Sequence, residues 1–262
     1  MKRLVLKHLN AFVRPVLDWV FPPVCLCCGA ETTAPGLLCV QCFRQLAPIV
    51  LACTHCALPL PSADYADDEG RCPSCAKPRF PWYRAHAAFL YEGTARRLVL
   101  QLKYADRLDI VPFLGRAMLD TFGEGDRGGE VFVPVPLHRR RFWKRRFNQS
   151  ALLAHALARK TAGARALPDA LMRRRFTRIL ARLSPEDRKK ALNGAIGVRP
   201  SIRADIIGRH VVLVDDILTT GATASICATQ LLNAGARRVD LLVAARTVKL
   251  AGDQGRQGEE QE

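Results

Sequence analysis

From about residue 85 onward, apolar and polar positions alternate in blocks that read as strands and helices in turn. AAFLYEG (87–93) reads as a strand running into a turn, and TARRLVLQLKYADR (94–107) as a helix with Leu98 and Leu102 on one face. EVFVPVPLH (130–138) is a strand, QSALLAHALARKTA (149–162) a helix and RHVVLVDDI (209–217) a strand. ATASICATQLLNAGA (222–236) is again a helix and RVDLLVAART (238–247) a strand. Near-continuous apolar strands separated by helices predict an α/β domain, a parallel sheet covered on both faces. In such sheets ligands sit beyond the carboxyl ends of the strands.

One such end carries candidate chemistry. VVLVDDILTTGAT, from Val211 to Thr223, closes an apolar strand with two carboxylates, Asp215 and Asp216, and continues into a small, hydroxyl-rich turn. Thr219, Thr220, Gly221, Ala222 and Thr223 lead into the next helix, so their N–H groups and hydroxyls can wrap an anion at its N-terminus, and Gly221 lets the backbone approach closely. Carboxylates so near would repel that same anion. They suit hydroxyl groups of an attached sugar, or a metal, and the ligand inferred is a ribose 5-phosphate unit.

Upstream the texture differs. Nine of the ten cysteines fall between Cys25 and Cys75, eight of them in four C-x-x-C pairs: Cys25/Cys28, Cys39/Cys42, Cys53/Cys56 and Cys72/Cys75. Two thiolates separated by two residues approach one ion from a tight turn, and two such turns complete a tetrahedral zinc site. Eight ligands suit two structural zinc ions with no position open to substrate. Sequential pairing of the knuckles is the favoured connectivity and an interleaved one the alternative. Cys27, Cys227 and His55 are expected outside the ligand set. Disulfides are disfavoured, because no secretion signal precedes the module, and the chain is expected in the cytoplasm.

The first residues are basic and apolar, with Leu6, Leu9, Val13, Val16, Leu17 and Val20 at helical spacing and a kink expected at Pro15. Such an amphipathic helix either packs on its own protein or rests on an anionic membrane surface. No apolar run reaches the roughly 18 residues of a membrane span. The expected organisation is an N-terminal helix over 1–24, a double zinc ribbon over 25–84, the α/β domain over 85–249 and a polar tail over 250–262. With its own apolar sheet, the larger core is expected to stay folded when one zinc ligand is lost.

Forty Lys and Arg against 24 Asp and Glu give a formal charge of +16, which favours anionic partners. The excess is concentrated in HRRRFWKRRFNQ (138–149), with six cations, and RRRFTRILARLSPEDRKK (173–190), with eight cations and two acids. Solvated faces are the plain reading of both. With Phe142, Trp143 and Phe147 interleaved, the first strip also suits single-stranded nucleic acid, with Arg139, Arg141, Trp143 and Lys144 as the contacts.

VVLVDDILTTGAT resembles the phosphoribosyl pyrophosphate signature of type I phosphoribosyltransferases. The resemblance implies that Asp215 and Asp216 bind the ribose hydroxyls and that Thr219 to Thr223 hold the 5-phosphate. Across nearly the whole chain, the order of double zinc ribbon, YEGTARRLVLQLKYADR, VPVPLHRRRFWKRRFNQS and VDDILTTGAT is similar to the ComF/GntX family. Tyr91, Gly93, Arg97, Leu102, Lys103 and Tyr104 match its first motif; Pro134, Val135, Pro136, His138, Arg140, Arg141, Arg145, Phe147, Asn148 and Gln149 match its second. The chain departs from the pattern at Arg146, where the family has glycine, at Leu180, where it has glutamine, and at Ala191, where it has asparagine. The last two lie in the segment that forms a mobile lid in type I enzymes.

The resemblance further implies Mg²⁺ bound with phosphoribosyl pyrophosphate, and Arg140, Arg145 or Arg146 as cations for the pyrophosphate, whose oxygens match the guanidinium fork. Lys103 either reaches the acceptor or pyrophosphate or is a plain surface lysine. The purine enzymes carry an acid at the place of Thr219, which cannot take a proton at neutral pH, so a purine acceptor is disfavoured. Three functions follow as expectations. The first is a ComF-like protein of natural transformation that binds single-stranded DNA and meets competence proteins. The second is a phosphoribosyltransferase with a non-purine acceptor, and the third a module that senses phosphoribosyl pyrophosphate and contacts a partner through its ribbons.

Overall fold

The computed structural model describes residues 22–77, 79–123, 129–137, 147–173 and 196–248. The N-terminal helix expected before residue 22, most of both basic strips and the polar tail lie outside the described residues.

Seven strands are described: β1 (Ala85–Leu90), β2 (Val131–Pro134), β3 (Arg165–Ala166), β4 (Leu171–Arg173), β5 (Ile196–Val198), β6 (His210–Leu218) and β7 (Arg238–Arg246). Five helices accompany them: α1 (Val40–Arg44), α2 (Gly93–Tyr104), α3 (Val111–Phe122), α4 (Gln149–Ala158) and α5 (Ala222–Asn233). Five strands form one sheet in the order β1-β7-β6-β2-β3, parallel at every pairing, while β4 and β5 form a separate antiparallel pair.

The expected α/β class holds, and its cause is visible in β6. Successive side chains of a strand point to opposite faces. Val212 and Val214 pack with Leu98, Leu102, Leu114, Met118 and Leu153 on one face; Val211 and Leu213 pack with Ala228 and Leu231 on the other. Helices therefore cover both sides, which is why the strand reads as a continuous apolar run.

The expectations contain no helix at α3. Pro112 and Gly115 interrupt that stretch as if they were breakers, yet Pro112 occupies the first turn, where a missing N–H costs nothing. Gly115 faces α4 closely, since a Cβ there would lie 3.4 Å from the Ala156 methyl. The glycine thus permits the α3/α4 contact.

The cysteine ribbons dock on the sheet domain. Cys25, Leu26, Cys27 and Cys42 belong to the same apolar cluster as α2 and α3, and Ile49, Ala57 and Trp82 to the cluster on the opposite face. The ribbons thus pack against both faces of the sheet. Residues 47–49, between the ribbons, run antiparallel to β1, with Ile49 N–H donating to Ala88 O at 3.0 Å and Leu90 N–H to Ala47 O at 2.8 Å. Among the described residues no helix is long and apolar enough to cross a membrane.

Candidate functional site

β2 and β6 are neighbours, but the chain leaves them in opposite directions, through α4 to β3 and through α5 to β7. Their carboxyl ends therefore border the crevice of a topological switch point, the usual ligand position in an open α/β sheet. Asp215 and Asp216 stand there, in the carboxyl-terminal part of β6 just past its last pairing with β2.

The two carboxylates have different surroundings. Asp215 Oδ1 accepts from Ser150 Oγ and from the Asp216 N–H, both at 2.9 Å. Part of Asp215 remains accessible, yet burial of its carboxyl, helped by the neighbouring Asp216 charge, pushes it up to about 7. Asp216 is buried and pairs with Lys103 Nζ, 3.1 Å from its Oδ1. Burial also raises the Tyr91 hydroxyl, on which the charges of Arg96 and Asp216 act in opposite senses. The end of β1 and the helix α2 thus form one wall beside the pair.

The turn that follows is open on its outer side. Thr219 and Thr220 are exposed, and Ala222 and Thr223 half-buried. Gly221 adopts a left-handed conformation at φ +77, and no side chain caps α5. The Ala222 N–H has only a long contact of 3.5 Å to Thr220 Oγ1, so the positive end of the helix dipole stays available to an anion. The carbonyls of Leu218 and Thr219 are held from behind by Arg246 Nη1 at 2.9 and 2.6 Å.

The other motif residues divide by task. Arg97 Nη2 donates to Gln45 Oε1 and, at 3.0 Å, to Thr94 Oγ1, so it anchors α2 to the ribbon region rather than reaching the acids. Asn148 caps α4 by accepting from the Ser150 N–H at 3.1 Å, while its Nδ2 donates to Val135 O at 3.0 Å. That pair of bonds ties the start of α4 to the end of β2. Arg139, Arg140, Arg141, Trp143, Lys144, Arg145 and Arg146 lie outside the described residues, as do Leu180 and Ala191. Sequence reasoning missed Ser150 and Arg246. Ser150 follows directly on the matched Asn148 and Gln149, and that position was the available signal; Arg246 had none.

Two sulfur groups complete the picture: Cys25, Cys28, Cys39 and Cys42, and Cys53, Cys56, Cys72 and Cys75, with ligand atoms in each group within 4.8 Å of one another. Both groups can coordinate a metal ion, and the pairing is sequential. Zinc with bonds of about 2.3 Å sets tetrahedral sulfur–sulfur edges of about 3.8 Å. Cys28–Cys39 at 3.7 Å and Cys56–Cys72 at 3.8 Å fit that edge. The Cys39 N–H donates to Cys25 Sγ and the Cys72 N–H to Cys53 Sγ, each at 3.2 Å, as expected around thiolate ligands. The Cys56 thiol, with the Cys72 N–H, holds Cys53 down to about 4, whereas Cys56 itself is pushed up, first by Cys53 and then by burial. Four sulfurs so close ionise together only around a cation. Cys27 and Cys227 belong to neither group, and burial raises the Cys227 thiol.

Comparison with known proteins adds an independent line. Residues 16–76 match the model of the double zinc ribbon domain. The DNA utilization protein YhgH of Escherichia coli strain K12 is 32% identical over 230 residues, 86% of this chain and 91% of that protein. Competence protein F of Haemophilus influenzae strain Rd is 28% identical over 225 residues, 84% and 95% of the two chains. Among solved structures, the allosteric regulatory enzyme of purine biosynthesis matches 51% of this chain and 25% of its own at 23% identity, with a TM-score of 0.35.

Proposed function

The chain belongs to the ComF/competence-protein-F family, and from that membership we propose that it is a phosphoribosyl pyrophosphate-binding protein acting on single-stranded DNA during DNA uptake and use. One observation carries the reading: Asp215 and Asp216 lie side by side at the β2/β6 switch point, next to an uncapped helix N-terminus. The acids suit the ribose hydroxyls and the turn Thr219 to Thr223 suits the 5-phosphate. Phosphoribosyl pyrophosphate would enter with Mg²⁺ on its diphosphate, which shields the phosphate charge from the carboxylates.

The two cysteine groups would hold structural zinc. Their donor set is four thiolates each, the set that zinc favours among available ions, and it leaves no position for substrate. Support for the nucleic-acid partner comes from the names of the relatives and from the cation-rich strip at 138–149.

Titration calorimetry with Mg²⁺ and phosphoribosyl pyrophosphate tests the site. Asp215→Asn and Asp216→Asn should each weaken binding at least about tenfold, the scale of one lost charge-assisted hydrogen bond. Asp120→Asn, on α3 and paired with Arg116, should leave it unchanged. Equal affinity in all three variants would remove the assignment.

A second reading, transfer of the ribose phosphate to a non-purine acceptor, takes support from Asp215, whose raised proton affinity suits a group that exchanges a proton near neutral pH. Pyrophosphate release that depends on an added acceptor would distinguish transfer from binding alone.

A further inference from the structure

The turn from Thr219 to Thr223 rests on the second cysteine ribbon. A Cβ on Gly221 would lie 2.9 Å from the Phe80 ring and 3.0 Å from that of Trp82. Those rings stack at 4.4 Å, and the Trp82 indole N–H donates to His55 O at 2.8 Å. His55 sits between Cys53 and Cys56 in sequence, and its Nε2 accepts from the N–H groups of Arg79 and Phe80 at 3.2 and 3.1 Å. The imidazole therefore carries its proton on Nδ1 and orients the Phe80 segment instead of ligating a metal.

Arg246 closes the connection from the other side. It ends β7 as a buried guanidinium, with Nε donating to Cys56 O at 2.9 Å and Nη1 to Leu218 O, Thr219 O and Thr247 O at 2.9, 2.6 and 2.8 Å. One side chain thus joins the carbonyl of a sulfur ligand to the two carbonyls that open the turn. The Cys56 carbonyl belongs to the knuckle whose sulfurs, Cys53 and Cys56, would converge on one ion, and a metal held there would fix its direction. The first ribbon contacts a different element, since Gln101 and Arg107, in and after α2, donate to Cys27 O and Leu26 O at 2.8 and 3.2 Å.

We infer that the second ribbon is a positioning element for the turn 219–223, with Arg246 as the coupling residue, so that metal at Cys53, Cys56, Cys72 and Cys75 and an anion on the turn strengthen each other's binding. Reciprocity follows from linkage: whatever the metal contributes to anion affinity, the anion returns to metal affinity. The identity of that anion as phosphoribosyl pyrophosphate rests on the function proposed above, whereas the contact between ribbon and turn does not.

The test uses the full-length, zinc-loaded protein and follows amide hydrogen exchange of the peptide spanning 218–224. Cys72→Ser and Arg246→Met should each speed its exchange about tenfold, within the usual range of such couplings. Cys39→Ser, in the first ribbon, should leave it near the parent value. Arg246→Lys, which keeps the charge but reaches fewer carbonyls, should fall between parent and Arg246→Met. In a second arm, saturating Mg²⁺ and phosphoribosyl pyrophosphate should slow zinc transfer to a colorimetric chelator from one of the two sites in the parent, and not in Arg246→Met. Unchanged exchange in both Cys72→Ser and Arg246→Met, or an equal rise in Cys39→Ser, overturns the coupling. If the exchange pattern holds while phosphoribosyl pyrophosphate has no effect on zinc transfer or calorimetry, the coupling stands and the proposed ligand is wrong.

Discussion

Lys103 Nζ lies 3.1 Å from Asp216 Oδ1, with the two side chains only 16% and 11% exposed. A pair so enclosed is costly to break from one side, because the remaining charge is left buried. Helix α2 is thereby fastened to the end of β6.

Lys103→Met should lower stability by roughly 3 kcal/mol, read from the denaturation midpoint, because the buried Asp216 loses its partner cation among the described residues. Adding Asp216→Asn to that variant should restore much of the stability while binding of phosphoribosyl pyrophosphate stays lost in calorimetry. Recovery of both together would mean that the pair is structural only.

The raised proton affinity of Asp215 has a definite sign. Its folded value of about 7 lies above the ordinary 3.8, so the folded state holds the proton more tightly across that interval, and stability from this group falls as pH rises from about 4 to about 7. In the ligand-free protein, Asp215→Asn should flatten the stability profile over that window relative to the parent. Ribose hydroxyls are better accepted by the ionised carboxylate, so parent affinity for Mg²⁺ and phosphoribosyl pyrophosphate should rise through pH 7 and lose that rise in Asp215→Asn.

Purified without chelator, the protein should hold two zinc ions per chain by metal analysis. Cys25→Ser should release one and also lower the melting temperature of the whole molecule, because Cys25 and Leu26 share the apolar cluster of α2 and α3. Leu26→Ala, which removes no ligand sulfur, should cost about 2–5 kcal/mol in the same measurement. A variant that loses its zinc while the sheet domain melts as before would show that the shared packing is energetically idle.

Single-stranded DNA should bind with little regard to sequence and weaken with salt by a slope of about 0.7 per phosphate neutralised. Replacing Arg139, Arg141 and Lys144 together with Ala should flatten the slope, whereas Trp143→Ala should lower affinity at every salt concentration, since stacking releases few counterions. Fluorescence titration at several salt concentrations measures both. A triple variant with the parent slope would remove this strip from the DNA interface.

Features confined to short stretches of chain were legible in the sequence. β6 and its carboxylate pair announce themselves by an unbroken apolar run ending in two acids, and the four knuckles by spacing alone. Helix α3 was not legible, because Pro112 and Gly115 read as breakers until the first turn and the α4 contact explain them. The supporting residues were hidden for another reason. Ser150 meets Asp215 across 65 positions and Arg246 meets Cys56 across 190, and only the parallel sheet brings such partners together.

The segment 47–49 laid along β1 has a consequence for how the protein can be divided. A parallel sheet ends in a row of unsatisfied backbone donors and acceptors, and an uncovered row of that kind recruits other chains. Cutting the chain at residue 85, where the sheet begins, would strip β1 of its cover and leave a sticky border on every molecule. The fragment should gather into multimers that grow with concentration, the more so because Leu26 and Cys42 on one face and Ile49 and Trp82 on the other leave with the ribbons. The cysteine ribbons would then serve as a guard against aggregation as well as a support for the ligand turn, and chelation should bring on turbidity before it abolishes the sheet.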